Sequence, residues 1–205
     1  MLILPNPRLI ITKQKVRAAM VTLINKKGLN KITVLDITKE AQINRSTFYR
    51  HYLDKPDLVE KLEKYYINKL EKIIDDNIDT LMIDQSPNNL RITYPLFIEL
   101  IQEFNLHQEE YRAWLGPKGS SHLVNMAHNL IKSGIEKSLE RNSAKYHPTK
   151  LIPKNYVLLL ISEQIWTILY HWLVTADVDA DELIEILMKT RYLSPTNMLG
   201  INDPN

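Results

Sequence analysis

Cysteine is absent from the 205 residues, and glycine is scarce at five. Without cysteine the chain has neither a disulfide scaffold nor a thiol nucleophile, which fits a reducing compartment, the cytoplasm. It also lacks a phosphate-cradling glycine loop, a G-x-S-x-G nucleophile turn and an H-E-x-x-H metal motif. His122 and His128 are six residues apart, the wrong spacing for paired ligands on one helix face. His107, His147 and His171 are scattered. No metal and no other cofactor is therefore expected. Asp177, Asp179, Asp181 and Glu182 cluster without the glycine and terminal glutamate of a calcium loop, so they read as a helix-capping patch. With no catalytic constellation, the chain reads as a non-enzyme. The first seven residues have neither the basic nor the apolar region of a secretory leader.

Long apolar runs are missing too, with one exception. Residues 156–174 read YVLLLISEQIWTILYHWLV, nearly enough to span a bilayer. Ser162, Glu163, Gln164 and His171 interrupt the run, and a carboxylate at mid-span is costly in lipid. The run reads as a helix buried in a core or subunit interface, and no membrane partner is expected.

What is present is helical periodicity and a lopsided charge. The net charge is +2, yet residues 1–55 hold eleven Lys/Arg against three acids, a balance of +8, and the remainder carries −6. A basic head on an acidic body fits a polyanionic partner, and a Lys-rich solvated surface would give the same balance. The fold class is all-α: a three-helix, helix-turn-helix N-terminal head, joined by a long helix to a helical C-terminal domain. The expected divisions are a basic head over 8–56, a helical body over 57–193, and a flexible tail over 194–205.

A first helix is expected over 13–26, capped by Thr12. Val16, Ala19, Met20, Leu23 and Ile24 form its apolar stripe, and Gly28 stops it. Thr33, with Asp36 three residues on, opens a short second helix in which Val34, Ile37 and Ala41 face inward. The period breaks at Gln42-Ile43-Asn44, and a second short helix runs from Arg45 to Tyr52. Two short helices joined by a three-residue turn, resting on a longer first helix, make a helix-turn-helix. The second of them carries Arg45, Ser46, Thr47, Tyr49, Arg50 and His51 against an inner face of Phe48 and Tyr52 only. In such a unit this helix enters the major groove, and Arg45 suits bidentate contact with guanine. Asp54 caps the long connector, where Lys55 adds charge to the helix's first amides. Solvation, capping or packing against the first helix would account equally for any single one of these polar residues.

Residues 12–62, through Ile24, Gly28, Thr33, Ile37, Ala41, the run RSTFYRHY at 45–52, Lys55 and Leu58, resemble the N-terminal domain of the TetR/AcrR family of bacterial regulators. The resemblance implies that Thr33, Tyr49 and Lys55 hold phosphates. It implies that Arg45, Ser46 and Thr47 face the groove and that His51 contacts the backbone. Two positions depart from the pattern. Gln42 stands where glycine is usual, which calls for a strained or altered turn, and Pro56 replaces a common acid.

In the body, helices are expected over 89–104 (with Pro95 dividing or delaying it), 108–115, 120–141, 153–175 and 179–192, with Gly116-Pro117-Lys118-Gly119 as a clear break. Here the resemblance is looser. It implies a transcriptional regulator, a repressor, that binds a double-stranded DNA operator as a homodimer and is released by a small-molecule effector of unknown identity. The dimer interface would lie on about 155–192, with Leu160, Thr167, Leu183, Ile186 and Leu187 as candidates. Tyr94, Phe97, Trp114, Met126, Trp166 and Tyr170 are candidates to line a ligand pocket. Aromatics at helical spacing also fit an ordinary core. The alternative is a helix-turn-helix regulator controlled by a protein partner on the C-terminal domain.

Overall fold

The computed structural model describes residues 7–80, 95–143, 151–191 and 193–199. The described residues form ten α-helices and two short 3-10 turns, with no strand. They divide into two compact units. The first comprises residues 1–69 and 107–126, and the second comprises 70–106 and 127–205. The DNA-binding domain expected over 8–56 thus lies in a larger unit, which adds the first half of the connector helix and a segment some fifty residues further on.

In the first unit, α1 (Pro7–Lys27) begins six residues earlier than its periodicity predicts. Pro7 at the first helical position explains this, since first-turn amides need no helical acceptor and proline fixes the required φ. The expected stripe is the buried one: Val16, Ala19, Met20, Leu23 and Ile24 are all buried. Gly28 ends the helix at φ 80°, a left-handed conformation that any side chain would strain. After a 3-10 turn (Leu29–Lys31) come α2 (Val34–Glu40), α3 (Arg45–His51) and α4 (Lys55–Asp76). α1 packs on α2, and also on α6 (Gln108–Leu115), whose Tyr111, Trp114 and Leu115 are buried. Tyr66 of α4 stacks edge-on against Tyr111 at 5.4 Å and tilts against Trp114 at 5.6 Å. Its hydroxyl donates to Glu110 Oε2 at 3.0 Å, and Arg17 pairs with the same oxygen at 3.2 Å.

The break at 116–119 has a structural task in this unit. Ser120 N–H donates to Trp114 O at 2.8 Å, and a Cβ on Gly119 would sit 2.1 Å from that oxygen. So tight a turn needs glycine. It presents Lys118 O to Leu29 N–H at 2.9 Å and Lys118 Nζ to Asn25 O at 3.1 Å, supporting the link between α1 and α2. The buried Glu63 carboxylate accepts from Ser120 Oγ and lies 2.8 Å from His122 Nδ1, joining α4 to the start of α7 (Ser121–Arg141).

In the second unit, the end of α4, α5 (Pro95–Leu106), the rest of α7, α8 (Lys154–Thr175) and α9 (Ala180–Lys189) surround a core that includes Ile74, Leu96, Phe97, Ile101, Ile135, Leu169, Trp172, Leu183 and Leu187. Pro95 starts α5, and the expected residues 89–94 of that helix lie outside the described residues. α9 packs against α5 and α8. α8 is long and apolar enough to cross a membrane by length and composition, with a mean hydropathy of 1.4. Leu158, Ser162, Ile165, Leu169, Trp172 and Leu173 lie on one side of it and are buried within the unit. It ends in left-handed Ala176 (φ 45°), and Trp172 Nε1 donates to Val178 O at 2.9 Å. Asp179 caps α9 by accepting from Glu182 N–H at 2.8 Å. A short α10 (Pro195–Met198), capped by Ser194, follows.

Candidate nucleic-acid interface

The interface is assembled from α2, the turn after it, α3 and the first turn of α4. α2 starts on a complete capping box. Thr33 Oγ1 accepts from Asp36 N–H at 3.2 Å, and Asp36 Oδ2 accepts from Thr33 N–H at 2.8 Å. The Thr33 hydroxyl also donates to that carboxylate at 2.6 Å, and Lys27 Nζ sits 2.5 Å from it. The Lys27 ammonium, then the Thr33 hydroxyl and amide, hold the Asp36 carboxyl well below the usual carboxylate range. Stabilising the charged form in this way keeps the box closed at neutral pH.

The turn follows the expectation drawn from Gln42. With φ at 52°, Gln42 adopts the left-handed conformation that glycine would take without strain. Ile43 N–H reaches back to Thr38 O at 3.0 Å, and Asn44 enters α3 in an extended conformation without a side-chain cap bond. α3 is pinned by Phe48, which is wholly buried against α3's own Tyr49 and the following Tyr52, at 5.4 and 5.3 Å. Around that pivot Arg45, Ser46, Tyr49 and Arg50 are exposed, while Thr47 and His51 are half-buried. Ser46, Thr47 and Arg50 sit at i, i+1 and i+4 and share a face. A seven-residue helix with one buried anchor, four exposed donors and two half-buried ones is therefore what the first unit offers to solvent at α3. Guanidinium and hydroxyl donors on one short helix suit base edges and phosphates.

Lys55 departs from its expected role. Asp54 caps α4 through Asp57 N–H at 2.8 Å, as predicted. The Lys55 ammonium, however, turns back to donate to Leu29 O at 2.7 Å and Asn30 O at 3.2 Å. Burial, and then the nearby Lys27 charge, lower its pKa. It ties the start of α4 to the link before α2, and releasing it to a phosphate would break both bonds. The acceptors are backbone groups 25 and 26 residues away, which no local pattern reveals. Thr33 is likewise committed to its capping box, whereas Tyr49 is 55% exposed and free to reach outward.

The candidates in the body are distributed differently from the expectation. Trp114 and Met126 belong to the first unit, where Trp114 is wholly buried; Phe97, Trp166 and Tyr170 belong to the second; Tyr94 lies outside the described residues. The six are thus not gathered in one unit. Phe97 lines a void of only about 20 Å3, roughly one water in size, together with Ile74, Leu96, Leu100, Ile131, Gly134 and Ile165. Trp166 stacks on Tyr170 at 5.2 Å and lies 5.4 Å from His128. Of the interface candidates, Leu183 and Leu187 must be withdrawn. They are 1% and 2% exposed, because the apolar stripe of α9 is spent on α5 and α8 of its own unit. Ile186 is half-buried, and Leu160 and Thr167 are exposed.

Residues 16–62 match the family described as bacterial regulatory proteins, tetR family, through its N-terminal domain. An uncharacterized HTH-type transcriptional regulator of Bacillus subtilis (strain 168), YxbF, is 30% identical over 86 residues, 42% of this chain. The matched region spans about a fifth (21%) of the length of that relative. Among solved structures, a TetR transcriptional regulator from Streptococcus agalactiae 2603V shares the fold at TM-score 0.61 and 19% identity, over 87% of this chain and 92% of that one. The fatty acid degradation regulator FadR from Bacillus halodurans does so at TM-score 0.63 and 14% identity, over 91% and 95%.

Proposed function

We propose, from the match of residues 16–62 to the N-terminal domain of the tetR family of bacterial regulatory proteins, that the chain is a DNA-binding transcriptional regulator. It works in the cytoplasm as a homodimer, and it is a repressor that leaves its operator when a small molecule binds the second unit. The observation that carries this reading is α3: Phe48 buries the helix's inner side, and Arg45, Ser46, Tyr49 and Arg50 stand in solvent. Arg45 and the Ser46 and Thr47 hydroxyls reach base edges, while Tyr49 and His51 meet the phosphate backbone. Two copies related by a two-fold axis place two such helices in successive major grooves, about 34 Å apart along the duplex. An effector that favours a different head spacing then lowers operator affinity by its own differential binding. On α8, Leu160 and Thr167 remain available to a second copy.

The test is a fluorescence-anisotropy titration of the full chain against fragments upstream of its own gene across a salt series. The expected result is tight binding to one fragment, with affinity falling linearly on a log–log plot against salt. Absent binding, or binding indifferent to salt, on every fragment overturns the reading. One observation favours a second reading, control by a protein partner. Tyr156, Leu159 and Leu160 of α8 are 47–59% exposed, an apolar face of the kind a protein partner covers. A stoichiometric partner that changes DNA affinity in a pull-down would select it.

A further inference from the structure

Beside α3 lies an open cleft of about 500 Å3, lined in part by His51; its lysines and arginines are given no contact in the proposed function. Its walls come from three elements of the first unit, with Lys13 and Arg17 on α1, Arg50 and Tyr52 from α3 and its end, and Lys61 and Tyr65 on α4. No carboxylate is among the lining residues. We infer, resting on the DNA-binding reading above, that this cleft is a second phosphate-binding surface, which takes the duplex backbone flanking the bases read by α3.

The four cations divide into two pairs. Arg17 is held by Glu110 Oε2 at 3.2 Å and lies 4.8 Å from the centre of the Tyr65 ring. Lys61 is held by Asp57 at 2.8 Å and His51 O at 3.2 Å, 5.6 Å from the centre of the Tyr52 ring. These two are fixed parts of the wall, their charge already shared with carboxylates. Lys13 and Arg50 are exposed and make no ion pair among the described residues. Arg50 follows Ser46 by four residues, so it leaves α3 on the face that carries Ser46 and Thr47. Lys13 stands one turn before Arg17 on α1. The two uncompensated cations therefore line one cleft that adjoins the recognition face. A polyanion lying along α3 meets them without losing any bond already made, in contrast to Lys55. Charge complementarity and continuity with α3 favour the backbone strand of a duplex as the occupant.

The experiment uses the full chain and its operator fragment. Each phosphate contact contributes about 0.9 to the slope of log affinity against log salt. Lys13→Ala with Arg50→Ala removes two contacts from each of the two heads of the proposed dimer, so it is expected to reduce that slope by about 3.6, weakening binding about 4,000-fold at 0.1 M salt and hardly at all near 1 M. Lys13→Arg with Arg50→Lys keeps the wild-type slope. Base preference in a randomised site library stays unchanged in the Lys13 variants, and the melting temperature stays unchanged throughout, because both side chains are exposed. Lys13→Gln alone, a milder change, lowers the slope by about 1.8, one contact from each head. Wild-type binding with an unaltered slope in these variants overturns the inference and leaves the DNA-binding reading intact. Failure of the wild type to bind any fragment sinks both. Stoichiometric binding of inorganic pyrophosphate, abolished by the double substitution while the DNA slope stays at wild type, overturns the inference in favour of a small-anion site.

Discussion

α3 and α8 both bury one side and leave the other in solvent, and the exposed sides are opposite in kind. α3 has seven residues, one full anchor in Phe48, and an outer face of arginine, serine and tyrosine. α8 has 22 residues and six buried positions, yet Tyr156, Leu159, Leu160 and Val174 stand 41–59% exposed. Tyr156, Leu160, Thr167 and Val174 fall at i, i+4, i+11 and i+18, on a single face. A polar outer face is solvated as it stands and binds by exchanging water for phosphate and base edges. An apolar outer face is stabilised by leaving water altogether. The two helices therefore call for partners of different nature, nucleic acid at α3 and a protein surface at α8.

The sharpest way to break this contrast is to remove the anchor of α3. Phe48→Ala leaves a ring-sized cavity under a helix with no other fully buried residue, and it is expected to cost about 4 kcal/mol. DNA binding should vanish with it. Leu169→Ala in α8 removes one of six buried positions; it is expected to cost about 3 kcal/mol and to leave the operator affinity of the folded protein intact. Urea melts paired with anisotropy titrations distinguish the two. If Phe48→Ala binds DNA like wild type, α3 is not the reading element.

The outer face of α8 is tested next. If Leu160 meets its own copy across a two-fold axis, Leu160→Glu removes an apolar contact twice, at about 1.5 kcal/mol each. The dimer constant should then weaken more than 100-fold, read by sedimentation or light scattering across concentration, while the melting temperature of the monomeric fraction barely moves. An unchanged dimer rules Leu160 out of the interface and moves the search along the helix. A wild-type monomer hands the exposed stripe to another protein.

Within the head, two cations at opposite ends of the motif should behave differently. Arg45→Ala is expected to relax preference at one base step by about 2 kcal/mol, seen as a flattened position in a selected-site library. Lys55→Ala breaks the tie to Leu29 O and Asn30 O. It should lower affinity for all sequences alike, with the salt slope unchanged, because no phosphate contact is lost. A slope reduced by about 1.8, one contact from each of two heads, would restore Lys55 to the backbone-contacting role that family resemblance implies.

The head was legible because its signals are local. Gly28, the Thr33–Asp36 pair, the awkward Gln42 and the Asp54 cap each act within four residues, and each appears where the pattern puts it. What stayed hidden was contact between distant parts of the chain. Examples are Lys55 on Leu29, Lys118 on Asn25, and Trp114 against Tyr66. The body suffered most from this. An apolar stripe such as Leu183–Leu187 fits an intramolecular core as well as a subunit interface, and only the packing of α9 on α5 and α8 decides for the core. Aromatic residues at helical spacing carried the same ambiguity. Trp114 turned out to be core, and Phe97 lines a void with no room for an organic molecule.

The smallest expected effect concerns how the two kinds of helix are held at their starts. α8 begins at Pro153 with no side-chain cap bond, and burial along its length holds it. α2 has only seven residues, two of them buried, so its capping box matters more. Thr33→Ala is expected to destabilise the protein by about 1 kcal/mol, whereas Pro153→Ala should be nearly silent. The box also predicts a pH dependence. Because the folded state lowers the Asp36 pKa below its unfolded value near 3.9, its contribution is complete above that value and is lost as pH falls through it toward the folded pKa. Asp36→Asn should therefore melt below wild type at pH 7, and the gap should narrow progressively as pH falls below about 4, with only part of it lost by pH 3. Because the carboxylate is exposed, salt should narrow the gap at pH 7 as well. A gap that persists unchanged at pH 3 would mean that shape, not charge, holds the start of α2. The local electrostatic control that sets the head apart from α8 would then be lost.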